Sequence, residues 1–281
     1  MRLHPETIAR ALLSGVEPLD YGYDMPSHIF AAIQRVWNVA EKDPRWHAYL
    51  PPGGLAAAME AVYRRFERAP QQVKVKDDKT GEFVTVTLGL EDLQREFLRT
   101  SEPAFLLSLY YERYDSWARD VIGRRRSHDE EILLIGPLID TSLGVTQGRA
   151  YLLRTDPATR FIGQWNFDGY IATADVWPSP DVGDELRTEV MTRIPVVFVQ
   201  GDWDRNTPIE NTLNVAPYFI NGRVLIVQHG EHSLLESIPD QLPEVMKLLQ
   251  GFLRTGSTSK LPVRVTMPVG RFDEPDFPPP H

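Results

Sequence analysis

Residues 196–208 read VVFVQGDWDRNTP, and residues 223–233 read RVLIVQHGEHS. Each opens on a short apolar run rich in β-branched residues and breaks off into a turn containing glycine. A short run without polar alternation, bounded by turn residues, reads as a strand covered on both faces, as in a parallel sheet. Between the two lies PIENTLNVAPYF (208–219), which reads as a helix. Strand, helix, strand in this order gives parallel neighbours joined by a right-handed crossover. The first turn carries Asp202 and Asp204, and the second carries His229 and His232. Both turns are therefore expected at the carboxyl ends of adjacent strands, where ligands and catalytic groups collect in open parallel sheets.

Asp204 and His232 are 28 residues apart, the length of one helix and one strand. A carboxylate beside an imidazole selects its tautomer and stabilises the imidazolium formed when it takes a proton, so the pair suits a general base with its orienting partner. The same residues admit a plainer reading, with Asp204 capping the helix near Pro208 and His232 an ordinary turn residue. Spacing alone leaves both open. HGEH (229–232) offers two histidines and one glutamate with no third ligand type in view, so no metal is expected, and no organic cofactor either.

Working outward, IARALLSGVEPLD (8–20) reads as a strand ending at Gly15, and SHIFAAIQRVWNVAEKDP (27–44) as a helix capped by Ser27, with Ile29, Ile33, Val36, Trp37 and Ala40 on one face. LAAAMEAVYRRFERAP (55–70) repeats the pattern. QVKVKDDKTGEFVTVTL (72–88) alternates on both sides of a turn and predicts a β-hairpin. LEDLQREFLRT (90–100) and the aromatic-rich PAFLLSLYYERYDSWARDVI (103–122) predict two more helices. Tyr110, Tyr114 and Trp117 in the latter fit core packing first and a substrate pocket second. SIPDQLPEVMKLLQGFLRTG (237–256) predicts a last helix, and KLPVRVTMPVGRFDEPDFPPPH (260–281) an extended Pro-rich tail.

The 281 residues are 42% hydrophobic and 25% charged, the balance of a globular chain able to bury a sizeable core. A net charge of −9 with no basic face argues against nucleic acid as partner, and no apolar run reaches a membrane span. The absence of Cys excludes disulfides and thiolate chemistry. MRLHPETIAR lacks the apolar core of a signal peptide, so localisation is left open, with cytoplasm as the default.

GDWDRNTP (201–208) followed by VLIVQHGEHS (224–233) resembles the last two catalytic segments of the α/β-hydrolase fold. More narrowly, it resembles the proline iminopeptidase and tripeptidyl-aminopeptidase-like branch, whose pattern runs G-x-x-D-x-x-T-P and then to a histidine. Gly201, Asp204, Thr207 and Pro208 match the first segment and His232 the second. HPETIARALLSGVEP (4–18) resembles the strand after the nucleophile helix. The hairpin and ATADVWP (172–178) resemble the cap and its return to the core, and LPVRVTMPVGRFDEP (261–275) the C-terminal end. The resemblance implies an α/β class chain, a partial α/β-hydrolase fold with an inserted, mainly helical cap containing the hairpin. Its expected layout is a core strand and loop over 1–24, the cap over 25–185, core strands and helices bearing Asp and His over 186–258, and the tail over 259–281.

In that fold the triad nucleophile is a serine in a G-x-S-x-G elbow, and no such pattern occurs here. Ser14 in LLSGV and Ser142 in TSLGV lack the flanking glycines. The resemblance therefore implies the C-terminal half of a serine hydrolase, with the serine and oxyanion hole expected from a missing or separate N-terminal half. The strand ARALLSGV (9–16), apolar on both faces, would then offer an open edge either to that half or to self-association. An inactive or non-catalytic hydrolase-like module is the alternative. The implied substrate is a small ester or a peptide with a free amine, an aminopeptidase needing an acid to hold the amine. Glu112, Asp115 and Glu130 of the cap are candidates that the sequence does not rank.

Overall fold

A computed structural model describes residues 1–127, 135–164, 167, 171–172 and 174–280. The strands in chain order are β1 (Ala11–Ser14), β2 (Gln71–Lys76), β3 (Phe83–Leu88), β4 (Val196–Gly201), β5 (Gly222–Gln228) and β6 (Arg264–Thr266). The chain divides into two compact units. The first comprises Met1–Arg35, Gly136–Thr159 and Asn166–Gly270, and the second Val36–Ile135, Arg160–Trp165 and Arg271–His281. The segment 25–185 is thus shared between the two.

The first unit holds a four-stranded sheet, order β1-β4-β5-β6, parallel throughout. Every residue of β4 is buried, which explains its unbroken apolar run. Val197 and Val199 face one core with Leu225, Val227, Ile238, Leu249 and Phe252. Val196 and Phe198, on the opposite face, pack with Ile194 and Val215. Burying such side chains contributes about 1.5–3 kcal/mol each. The covering helices are Ile209–Val215 on one face and, on the other, Leu234–Gln241 and Pro243–Thr255. The single helix expected over 237–256 is therefore two. Pro243 disfavours helical backbone at the residue before it, and Leu242 sits at φ −137°, ψ 58°.

Three strands are expected from the sequence and four are present, because Arg264–Thr266 in the Pro-rich tail pairs with β5. Only three residues pair there, and the prolines around them hide the signal. Ser27 does not cap its helix, which begins at Pro26. Instead Asp156, distant in sequence, accepts hydrogen bonds from both Ser27 N (3.2 Å) and Ser27 Oγ (2.6 Å). At the sheet's open end, β1 pairs with β4 alone among the described residues, and its residues are only half-buried.

The second unit contains the antiparallel β2–β3 hairpin and the helices Gly54–Arg68 and Leu90–Arg99, as the periodicity predicts. The helix expected over 103–122 is broken into Pro103–Tyr110 and Asp115–Ser127. Glu112 in the break has φ 60°. Arg65 completes the end of the first piece, donating to the carbonyls of Leu109 (2.8 Å) and Tyr110 (3.2 Å) and to Tyr114 Oη (2.8 Å). Leu109 O also accepts from Glu112 N (3.1 Å), and Arg65 adds to the few partners that carbonyls at a helix end find within the helix. The segment from Arg271 packs within this unit, Phe272 against Trp46 and Phe277 against Tyr49 and Tyr111.

Candidate active site

The ends of β4 and β5 meet through glycine. A side chain at Gly201 would overlap the Gly230 carbonyl, so only glycine allows this approach. The two turns are then laced together: Trp203 N donates to Gly230 O (3.0 Å), and His229 N donates to Asp202 Oδ1 (2.7 Å). His229 adopts φ 62°, packs its ring tilted at 44° against Trp203 with centroids 4.9 Å apart, and places its Nδ1 3.0 Å from Met267 O. Asp202 and His229 thus tie the strand ends together beside the pair of interest.

Asp204 Oδ2 lies 3.1 Å from His232 Nδ1. The other carboxylate oxygen, Oδ1, accepts from the backbone N–H groups of Asn206 and Thr207, each at 2.9 Å. The helix Ile209–Val215 has Pro208 at its N-cap and no side-chain cap hydrogen bond, so Asp204 closes the turn ahead of the helix and does not cap it. One oxygen closes the turn and the other faces the imidazole. Thr207 Oγ1 donates to Asp204 Oδ2 (2.6 Å) and stands 3.1 Å from His232 Nδ1, so its lone pair can share the ring proton. The Asp204 side chain is 1% exposed, whereas that of His232 is 47% exposed. Its Nε2 has no hydrogen-bond partner among the described residues. An imidazole held at Nδ1 by a buried carboxylate, with Nε2 open, is arranged to take a proton from a nucleophile at Nε2.

The tip of β1 completes the surroundings. Gly15, at φ +61°, comes so close to His232 that a Cβ there would lie 3.1 Å from the ring's Cε1. Beyond it, burial pushes the Glu17 carboxyl up to about 7, helped by Asp140 and Asp204 and opposed by His232. Burial likewise raises Asp140 to about 6. Burial also raises Asp24 well above the ordinary carboxylate range, although it accepts a hydrogen bond from Asn211 Nδ2 (2.7 Å). The other Asn211 amide atom, Oδ1, is buried without a partner. Glu17 thus feels the charges of Asp140, Asp204 and His232, and Asp24 those of Glu17 and Asp204, with burial the main cause of the rise at each of the three acids. Sequence reasoning missed them, since isolated acids in loops carry no spacing signal.

The serines considered from sequence do not engage the imidazole. Ser142 Oγ donates to Pro180 O (2.9 Å), and Ser14 Oγ is buried without a hydrogen-bond partner. Tyr114 and Trp117 belong to the aromatic core of the second unit, both against Phe66, and Trp117 also against Phe105. Tyr110, at the end of its helix, packs edge-on to Tyr111. Glu112 pairs with Arg65 (3.3 Å) and Asp115 opens the following helix, both in that same unit. Glu130 lies outside the described residues.

Residues 161–264, which carry both strand-tip turns, match the protein-family model described as TAP-like protein. No curated protein matches the chain. Over this matched segment, which spans Asp204 and His232, the chain is similar to the tripeptidyl-aminopeptidase-like branch of the α/β-hydrolase superfamily, and its parallel sheet with crossover helices is consistent with a partial α/β-hydrolase fold.

Proposed function

We propose that Asp204 and His232 are the acid and base of a serine-type acyl hydrolase, and that the serine and oxyanion hole are supplied by an N-terminal half polypeptide docked along β1. The observation that carries this reading is the imidazole of His232, anchored at Nδ1 by Asp204 and Thr207 and open at Nε2. In the assembled enzyme His232 takes the serine proton as the hydroxyl attacks the substrate carbonyl, then returns it to the leaving group. Water repeats the sequence on the acyl-enzyme. Asp204 holds the ring and offsets its charge. No metal or cofactor is required for this chemistry.

Between an ester and a peptide with a free amine, the acids near His232 favour the amine. Burial raises Glu17, Asp24 and Asp140, and a bound ammonium would stabilise their charged forms. The reaction proposed is therefore removal of residues from a peptide's free N-terminus.

The test compares p-nitrophenyl esters with aminoacyl anilides, using the chain alone and the chain mixed with a polypeptide carrying a G-x-S-x-G half of this fold. Alone, turnover should stay near that of buffer, since loss of the nucleophile costs on the order of 10⁶ in kcat. Mixed, turnover should appear, prefer the anilides, and vanish with His232→Ala. Robust turnover by the chain alone that is abolished by Ser14→Ala or Ser142→Ala would replace the proposal with a nucleophile inside this chain. Self-association through β1 without any gain of activity would favour a non-catalytic module.

A further inference from the structure

Gln200 is a polar residue at the end of the otherwise apolar VVFV run of β4, and it is 1% exposed. By strand alternation its side chain lies on the face of Val196 and Phe198, under the helix Ile209–Val215. A buried amide in such a place is costly unless its hydrogen-bonding atoms are matched, and here they are. Nε2 donates to Thr207 O (2.9 Å) and to Asp204 Oδ2 (3.1 Å), while Oε1 accepts from Thr212 Oγ1 (3.0 Å). Thr212 is itself fully buried on that helix.

The amide therefore joins three elements: the strand that carries it, the turn that carries Asp204, and the helix that follows the turn. An apolar residue would fill the same space at lower desolvation cost, so burial alone does not call for glutamine. What glutamine adds is a fixed donor on the carboxylate oxygen that faces His232. Without it, the Thr207 hydroxyl would be the one donor besides the imidazole itself left on Oδ2, and the carboxylate would be freer to turn about its χ2 bond away from the ring.

We propose that Gln200 is a positioning residue, its orientation set by Thr212, that keeps Asp204 Oδ2 aimed at His232 Nδ1. The inference rests on Asp204 and His232 acting as the acid–base pair proposed above. Its readout needs no turnover, so it can fail while that reading stands, and the reverse.

The experiment follows the Nδ1–H proton of His232 by NMR in the full chain labelled with 15N-histidine, assigned by its loss in His232→Gln. In the parent a resolved, slowly exchanging downfield resonance is expected, since the proton lies between Nδ1 and an ionised partner. Gln200→Leu should move it upfield and speed its exchange with water. Val215→Ala, a cavity in the same core that touches neither residue of the pair, should lower the melting temperature and leave the resonance in place. Gln200→Leu that folds with the resonance unmoved overturns the proposal. Should that variant fail to fold, Thr212→Val and Thr212→Ser decide. Movement in the valine variant with retention in the serine variant supports positioning through the amide, and no movement in either overturns it.

Discussion

Gly15 and His232 sit in near contact across the tips of β1 and the β5 turn, with 3.1 Å left between an added Cβ and the ring's Cε1 and 3.2 Å to Thr207 Oγ1. The glycine is also in left-handed backbone at φ +61°. Gly15→Ala thus carries a backbone cost of about 1–2 kcal/mol and presses a methyl group on the imidazole. Denaturant melts should report that loss, and the ring resonances of His232 should shift. A variant as stable as the parent with an unmoved imidazole would show that the contact constrains nothing.

Asp204→Asn tests the pair itself. Asn can keep one oxygen on the Asn206 and Thr207 amides, but its NH₂ then faces the Thr207 hydroxyl, the Gln200 amide and His232 Nδ1, all of them donors in the parent. The ring must flip tautomer or turn away. In the complemented enzyme we expect kcat to fall on the order of 10⁴ with little change in KM. A loss under about tenfold, read by steady-state kinetics, would remove Asp204 from the mechanism.

Glu17 and Asp140 make stability depend on pH in a stated direction. Both are raised, from 4.5 to about 7 and from 3.8 to about 6. At low pH both states of the chain hold these protons. As pH climbs through the window between ordinary and raised values, the unfolded chain releases them first, so the folded state loses ground up to about pH 7. Glu17 is exposed at its edge, so its share is screened and salt-sensitive. Thermal melts from pH 5 to 8 should fall less steeply for Glu17→Gln and Asp140→Asn than for the parent. Equal slopes would mean these acids titrate normally.

What could be read from the sequence follows from how each signal is made. β4 is covered on both faces, so VVFV announces itself, and the 28-residue interval to His232 is a local property of strand, helix and strand. The conserved chain direction of a parallel pair then brings Asp204 and His232 together without any further information. The break at Glu112 was hidden because Tyr110, Tyr114 and Trp117 keep helical spacing across it, while the cause, Arg65 on the carbonyls of Leu109 and Tyr110, comes from a distant helix. Asp156 on Ser27 is invisible for the same reason. Gln200 did leave a trace, a polar residue inside a fully buried run. Its meaning depends on Thr212 and Asp204 standing on either side, which only the fold provides.

The open edge of β1 yields the last prediction. Ala11, Leu13 and Val16 pack against one core and Leu12 against the other, so both faces of the strand are apolar while, among the described residues, one row of its backbone groups has no strand beside it. Each such group costs about 1–3 kcal/mol if a neighbouring apolar surface excludes water from it. Against a total of ~5–15 kcal/mol for a typical domain, several of these are hard to carry. The N-terminal segment adds to the exposed surface: Arg2 Nη1 bonds the carbonyls of Leu186 and Thr188, with Leu3 68% and Met191 61% exposed. We therefore expect the chain on its own to associate with itself, with mass by light scattering rising with concentration. Leu3→Lys and Met191→Lys should weaken that association with little change in melting temperature, because neither side chain is part of the core. Adding the serine-bearing half should replace self-association with a defined heterodimer and slow hydrogen exchange at Leu12 and Leu13. A chain that stays monomeric at every concentration, and whose β1 amides exchange equally fast with and without that half, would show that the edge is simply solvated and that β1 is not where a partner docks.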